Sequence, residues 1–164
     1  MRYLPSRSVV IFLCVALSLA ACGWRLQGAA KLSPGMSVIY VDAEDRYTEF
    51  NRALRDRLRA SGAKVTERRA DATAVIRISK DQSGQRVLSV SARNTPEEYE
   101  VFYSIEYSVA SGGADVIAVQ PLELTRDYSY DTTAVLAKQR EQAVLRTALA
   151  QDLAAQVLRR LASL

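Results

Sequence analysis

The most reactive feature of this chain is a cysteine set behind small residues. Leu19-Ala20-Ala21-Cys22 is followed by Gly23. Arg2 and Arg7 precede an apolar run from Val9 to Ala21, broken only by Ser18. The run is too short for a membrane span of about 20 residues but fits the apolar region of a signal peptide. An ordinary secretory site needs no cysteine there, so the competing reading is a plain signal peptide with a chance cysteine. A lipoprotein signal does need one. The Cys22 thiol takes a diacylglyceryl group, the chain is cut between Ala21 and Cys22, and the new amine is acylated. Several acyl chains of the palmitate kind, at about 0.8 kcal/mol per buried methylene, make a stable anchor where one chain would not.

Other chemistry is sparse. The chain has no His and two Cys; Cys14 leaves with the signal and Cys22 is lipidated. Metal sites built on His or Cys are excluded, as are His-based triads, and no cofactor beyond the covalent lipid is expected. No Gly-x-Ser-x-Gly elbow or phosphate loop occurs. Glu98 and Glu100 fall on one face of a strand and are the sole candidates for an acid/base pair; exposed strand carboxylates are common. Asp127 and Asp131 read as surface or turn residues. The formal net charge is +4, and loss of Arg2 and Arg7 lowers it to +2, so the basic balance gives no reason to expect a nucleic acid partner.

These residues must be positioned by residues 37–164, the expected domain, after a signal at 1–21 and a tether at 22–36. Val38-Ile39-Tyr40-Val41 predicts a strand buried on both sides or nearly so. Thr48 is placed to cap a helix whose stripe is Phe50, Leu54 and Leu58, with Gly62 at its end. Arg52, Arg55, Arg57 and Arg59 fill the rest of it, as a solvated face or a patch for a partner. From Ala72 the period is two. Strands are expected over 74–80, 86–93, 99–110 and 114–130, with turns at Asp81-Gln82-Ser83-Gly84, Asn94-Thr95-Pro96 and Ser111-Gly112-Gly113. Leu88, Val90 and Ala92 alternate with Ser89, Ser91 and Arg93. One face is aliphatic and tyrosine, the other Ser, Glu and Arg. A last helix, capped by Thr132 or Thr133, carries Leu145, Leu149, Leu153, Val157 and Leu161, widened by Val144 and Ala148. The fold expected is α+β: a two-layer sandwich, a mostly antiparallel, mixed sheet of four to five strands with two helices on one face.

Following four strands up and down places the turn after Arg93 and the start of the last helix at one end of the sheet. Lys138 lies in the first two turns of that helix, where the macrodipole disfavours a cation. A helix N-terminus with Lys138 and Arg93 beside it would make an anion site; the bland reading is two ordinary solvated cations.

Three segments resemble the LptE family of lipopolysaccharide-assembly lipoproteins. They are Cys22-Gly23-Trp24-Arg25-Leu26; Leu88-Ser89-Val90-Ser91-Ala92-Arg93 with Glu98-Tyr99; and Tyr128-Ser129-Tyr130-Asp131-Thr132-Thr133-Ala134-Val135-Leu136-Ala137-Lys138 with Glu141. The resemblance implies a two-layer α/β domain, lipid-anchored to the inner leaflet of the outer membrane on its periplasmic side. It implies a non-enzymatic partner that plugs and helps assemble the LptD β-barrel while lipopolysaccharide moves to the outer leaflet. By motif, the family's lipopolysaccharide-contacting positions fall on Arg93 and Lys138, which would bind lipid A phosphates. The alternatives are a membrane-tethered enzyme acting on envelope polymers, through Glu98 and Glu100, and a structural lipoprotein with no ligand.

Overall fold

The computed structural model describes residues 32–164. Cys22 and the whole of 1–31, including the expected signal and most of the tether, lie outside the described residues. Five strands and two helices follow one another as β1 (Val38–Ala43), α1 (Glu49–Ala60), β2 (Lys64–Thr66), β3 (Ala74–Val90), β4 (Pro96–Ser111), β5 (Ala114–Ser129) and α2 (Val135–Ala162). The sheet order is β2-β1-β3-β4-β5. β1 is parallel to β2 and to β3, while β3, β4 and β5 form an antiparallel meander. The sheet is therefore mixed, as expected.

α1 is framed as its sequence predicts. The Thr48 hydroxyl accepts from the Asn51 N–H at 3.1 Å. At the other end Ala63 N–H reaches the Leu58 carbonyl and Gly62 N–H the Arg59 carbonyl, with Gly62 at φ +90°. That is a Schellman closure, and it needs a left-handed residue where glycine sits. Phe50, Leu54 and Leu58 are fully buried. They pack with Ile39, Ile76 and Ile105 from the sheet and with Leu149, Leu153, Val157 and Leu161 of α2 in one core. Arg146 of α2 meets Glu49 in the first turn of α1 at 3.0 Å.

Several expectations are corrected. The residues 81–84 do not turn: β3 runs unbroken through them. Gly84 faces Phe102 of β4, and a Cβ there would lie 2.7 Å from the Phe102 ring. Glycine serves close approach of a cross-strand aromatic, not chain reversal. A bulge between Ile78 and Lys80 then inverts the alternation. Asp81 comes to the helix side, and Leu88 and Val90 stand about half exposed instead of in the core. β1 alternates, with Ile39 and Val41 buried and Val38 and Tyr40 half-buried, so only one side of it is sealed. α2 begins after Ala134 with no side-chain cap. Thr133 is instead occupied with Asp131, to which its N–H and hydroxyl donate at 2.8 and 2.7 Å. Val144, expected to widen the stripe, is 67% exposed. At the N-terminal side, Leu32 packs against the core and Met36 is buried.

Candidate functional site

The β3–β4 connection and the β5–α2 connection lie side by side. Val90 pairs with Pro96, and the Tyr130 N–H donates to the Glu97 carbonyl at 2.7 Å. The expected juxtaposition survives the loss of one reversal because that reversal would precede both segments. Removing it moves them together to the other end of the sheet.

Arg93 sits exposed in the tight loop Ser91–Thr95. Asn94, at φ +58°, turns the chain, and the Ser91 hydroxyl accepts from the N–H groups of Arg93 and Thr95 at 3.3 and 3.2 Å. Arg93 lines an open groove whose other wall is Tyr130, Asp131 and Thr132. Lys138 lies one turn into α2, on the helix side of the sheet. Its ammonium is 6.0 Å from the centre of the Tyr128 ring and pairs with Glu141 at 2.8 Å. The side chain is 17% exposed, a lysine largely laid down on aromatic surface.

Tyr128 is the hub of that surface. Tyr99 stacks on it at 5.8 Å and meets Tyr130 edge-on at 5.2 Å. The Tyr128 hydroxyl donates to Gln85 at 2.9 Å. Asp131 links the two cations: it lines the Arg93 groove and feels the charge of Lys138. Hydrogen bonds from Thr133, and then Lys138, hold its carboxyl below the usual aspartate value. The pole therefore combines two cations, three tyrosines and the start of a 28-residue helix whose first N–H groups have no side-chain cap. Such an arrangement can hold an oxyanion against Lys138 and the helix start, with the tyrosines as the packed base beneath it, Tyr128 buried and Tyr99 and Tyr130 partly so. Glu141 pairs with Lys138, and Arg93 makes no ion pair among the described residues.

The carboxylates considered for acid/base work are otherwise engaged. Glu98 accepts from the Ser89 hydroxyl at 2.8 Å. Glu100 pairs with Arg86, which also holds Glu123 at 3.2 Å and covers the Phe102 ring at 5.3 Å. They form an ionic ladder on the outer face of the sheet. Sequence reasoning missed two features. Arg55 is not on the solvated face of α1 but on its buried side, reaching Glu67 and the Val41 carbonyl, and Asp81 points inward to accept from the Thr48 and Tyr103 hydroxyls at 2.6 and 2.8 Å. The bulge that turns Asp81 inward leaves no mark in the sequence. Arg55, one turn beyond Asn51 on the core-facing stripe, could have been suspected.

A family model described as LptE, lipopolysaccharide-assembly, matches residues 36–161. The LPS-assembly lipoprotein LptE of Pectobacterium atrosepticum is 27% identical over 160 residues, covering 94% of this chain and 83% of that protein. That of Yersinia enterocolitica is 26% identical over 144 residues, covering 87% and 69%. Among solved structures, rare lipoprotein B from Shewanella oneidensis is similar with a TM-score of 0.67 at 30% identity, over 77% of this chain and 94% of that one. A lipoprotein B from Nitrosomonas europaea, solved by NMR, has a TM-score of 0.71 at 24% identity, over 86% and 91%; it bears on the fold alone.

Proposed function

Since the chain belongs to the LptE lipopolysaccharide-assembly family, an envelope assembly family and not a family of enzymes, we propose that it is an outer-membrane lipoprotein that plugs the LptD β-barrel, assists its assembly and binds lipopolysaccharide on its way to the outer leaflet. Its anchor is the N-acyl and S-diacylglyceryl lipid on Cys22, on the periplasmic side. Its ligand contacts are Arg93 and Lys138.

The observation that carries the ligand reading is the meeting, at one pole, of Arg93, Lys138 and the uncapped start of α2 around three tyrosines. Lipid A offers phosphates, which match the two cations and the helix start. A phosphate oxygen replaces Glu141 on Lys138 and gains charge-assisted hydrogen bonds, while Arg93 approaches from the neighbouring turn. Hydrogen bonds to charged groups are worth about 1.5–3 kcal/mol, so losing one costs about tenfold or more in affinity.

The test is lipopolysaccharide binding by the detergent-solubilised lipoprotein carrying Arg93→Glu with Lys138→Glu. The reading predicts that affinity falls by roughly two orders of magnitude, one for each lost contact, while thermal unfolding and barrel recovery stay as in the parent chain. Undiminished binding would overturn the assignment of these two residues.

A further inference from the structure

A second concentration of charge lies far from that pole, on the flank of α1 beside the edge strand β2. Arg52 and Arg59 are seven residues apart and share one stripe of the helix. With Arg46 from the β1–α1 loop they line an open groove, and Arg55 forms its floor. Arg55 is 7% exposed. It donates to Asn51 Oδ1 at 2.8 Å, Glu67 Oε1 at 3.0 Å and the Val41 carbonyl at 3.3 Å. These bonds fix it as part of the fold.

Two carboxylates answer four guanidinium groups here. Glu67 is shared between Arg55 and Arg46, and Asp56 takes Arg59 at 3.1 Å. Arg52 makes no ion pair among the described residues. Burial first, and then the charges of Arg46 and Arg59, push the Arg55 pKa down. Tyr47 stands at the mouth, 81% exposed.

We propose that this groove receives an acidic polypeptide segment, Asp or Glu side chains carried by the barrel partner. The proposal rests on the reading of the chain as a barrel plug. Charge complementarity sets the sign of the occupant. Guanidinium forks match carboxylates two bonds at a time, and Arg with Tyr is the composition of the anchors at protein interfaces.

The experiment places a photo-crosslinking residue at Tyr47 in the full-length lipoprotein in cells and identifies what it captures by mass. The expected product is the barrel, joined within a segment rich in Asp and Glu. Arg52→Glu with Arg59→Glu is expected to abolish that product and to lower barrel recovery at low salt by roughly tenfold. Both side chains are exposed, so the fold should hold; Arg52→Gln with Arg59→Gln, which adds no repulsion, should give a smaller loss of the same sign. Capture of lipid, lipopolysaccharide or a second copy of this chain would overturn the proposal, as would undiminished recovery in both variants. If the unmodified chain recovers the barrel but Tyr47 does not touch it, only the groove assignment fails. If it recovers no barrel, the plug reading fails and this proposal with it.

Discussion

Lys138 holds Glu141 at 2.8 Å across the first turns of α2. Any anion that binds Lys138 must displace this internal partner, so Glu141 sets how strongly the pole binds. Exposed ion pairs contribute about 0.5–1 kcal/mol, so Glu141→Gln is expected to raise lipopolysaccharide affinity a few-fold. Titration of lipopolysaccharide against both proteins checks this; equal affinities would mean that Lys138 does not contact the ligand. Asp81 gives a second prediction at the same scale. Burial, against the hydrogen bonds of Thr48 and Tyr103, holds its carboxyl above the ordinary 3.8. A group with a raised folded pKa binds its proton more tightly in the fold. Its contribution to stability is therefore present below the unfolded value and lost as pH rises through the folded one. The stability of the parent chain minus that of Asp81→Asn should shrink from acid to neutral pH in urea unfolding. A difference that stays constant would contradict the inward, desolvated placement of Asp81. The Lys138–Glu141 pair follows from i,i+3 spacing on one helix, whereas the situation of Asp81 was not readable in advance, because it depends on what other elements lay against it.

At the scale of elements, much was legible. The cap at Thr48, the stop at Gly62, the tyrosine face of β4, the Gly112-Gly113 hairpin and the buried stripe of α2 each follow from local residue types. The failures have physical causes. β2, only three residues long, is too short to display a period. Asp81-Gln82-Ser83-Gly84 has the composition of a turn, yet strand pairing overrides it because Phe102 needs the space above Gly84. That gives a test of the pairing itself. Gly84→Ala should cost about 1–3 kcal/mol, the usual penalty for overpacking. The cost should shrink in a Phe102→Ala background, where the ring no longer meets the new methyl group. Equal costs in the two backgrounds, measured by urea unfolding, would contradict the Gly84–Phe102 contact. The candidate site was legible in part for the same reason. Two cations at one pole follow from counting reversals, whereas the Tyr99, Tyr128 and Tyr130 cluster requires the register of β4 on β5.

The whole molecule has two poles. Gly35, just before β1, accepts from Ser111 at 3.2 Å at the end of the sheet opposite the Arg93 loop. β3, at 17 residues, sets these ends roughly 50 Å apart at about 3.3 Å per residue. That exceeds the ~30 Å hydrocarbon core of a bilayer. On the proposed reading, a chain anchored through Cys22 at the inner leaflet and standing in a barrel lumen carries its cationic pole toward the outer leaflet, where lipopolysaccharide must arrive. The central claim is the partnership with the barrel, and the most direct measurement is a detergent pull-down of the full-length lipoprotein from outer membranes, with bound proteins identified by mass. Near-stoichiometric recovery of a large β-barrel protein, resistant to salt, is the predicted result; recovery of the lipoprotein with no barrel would contradict it.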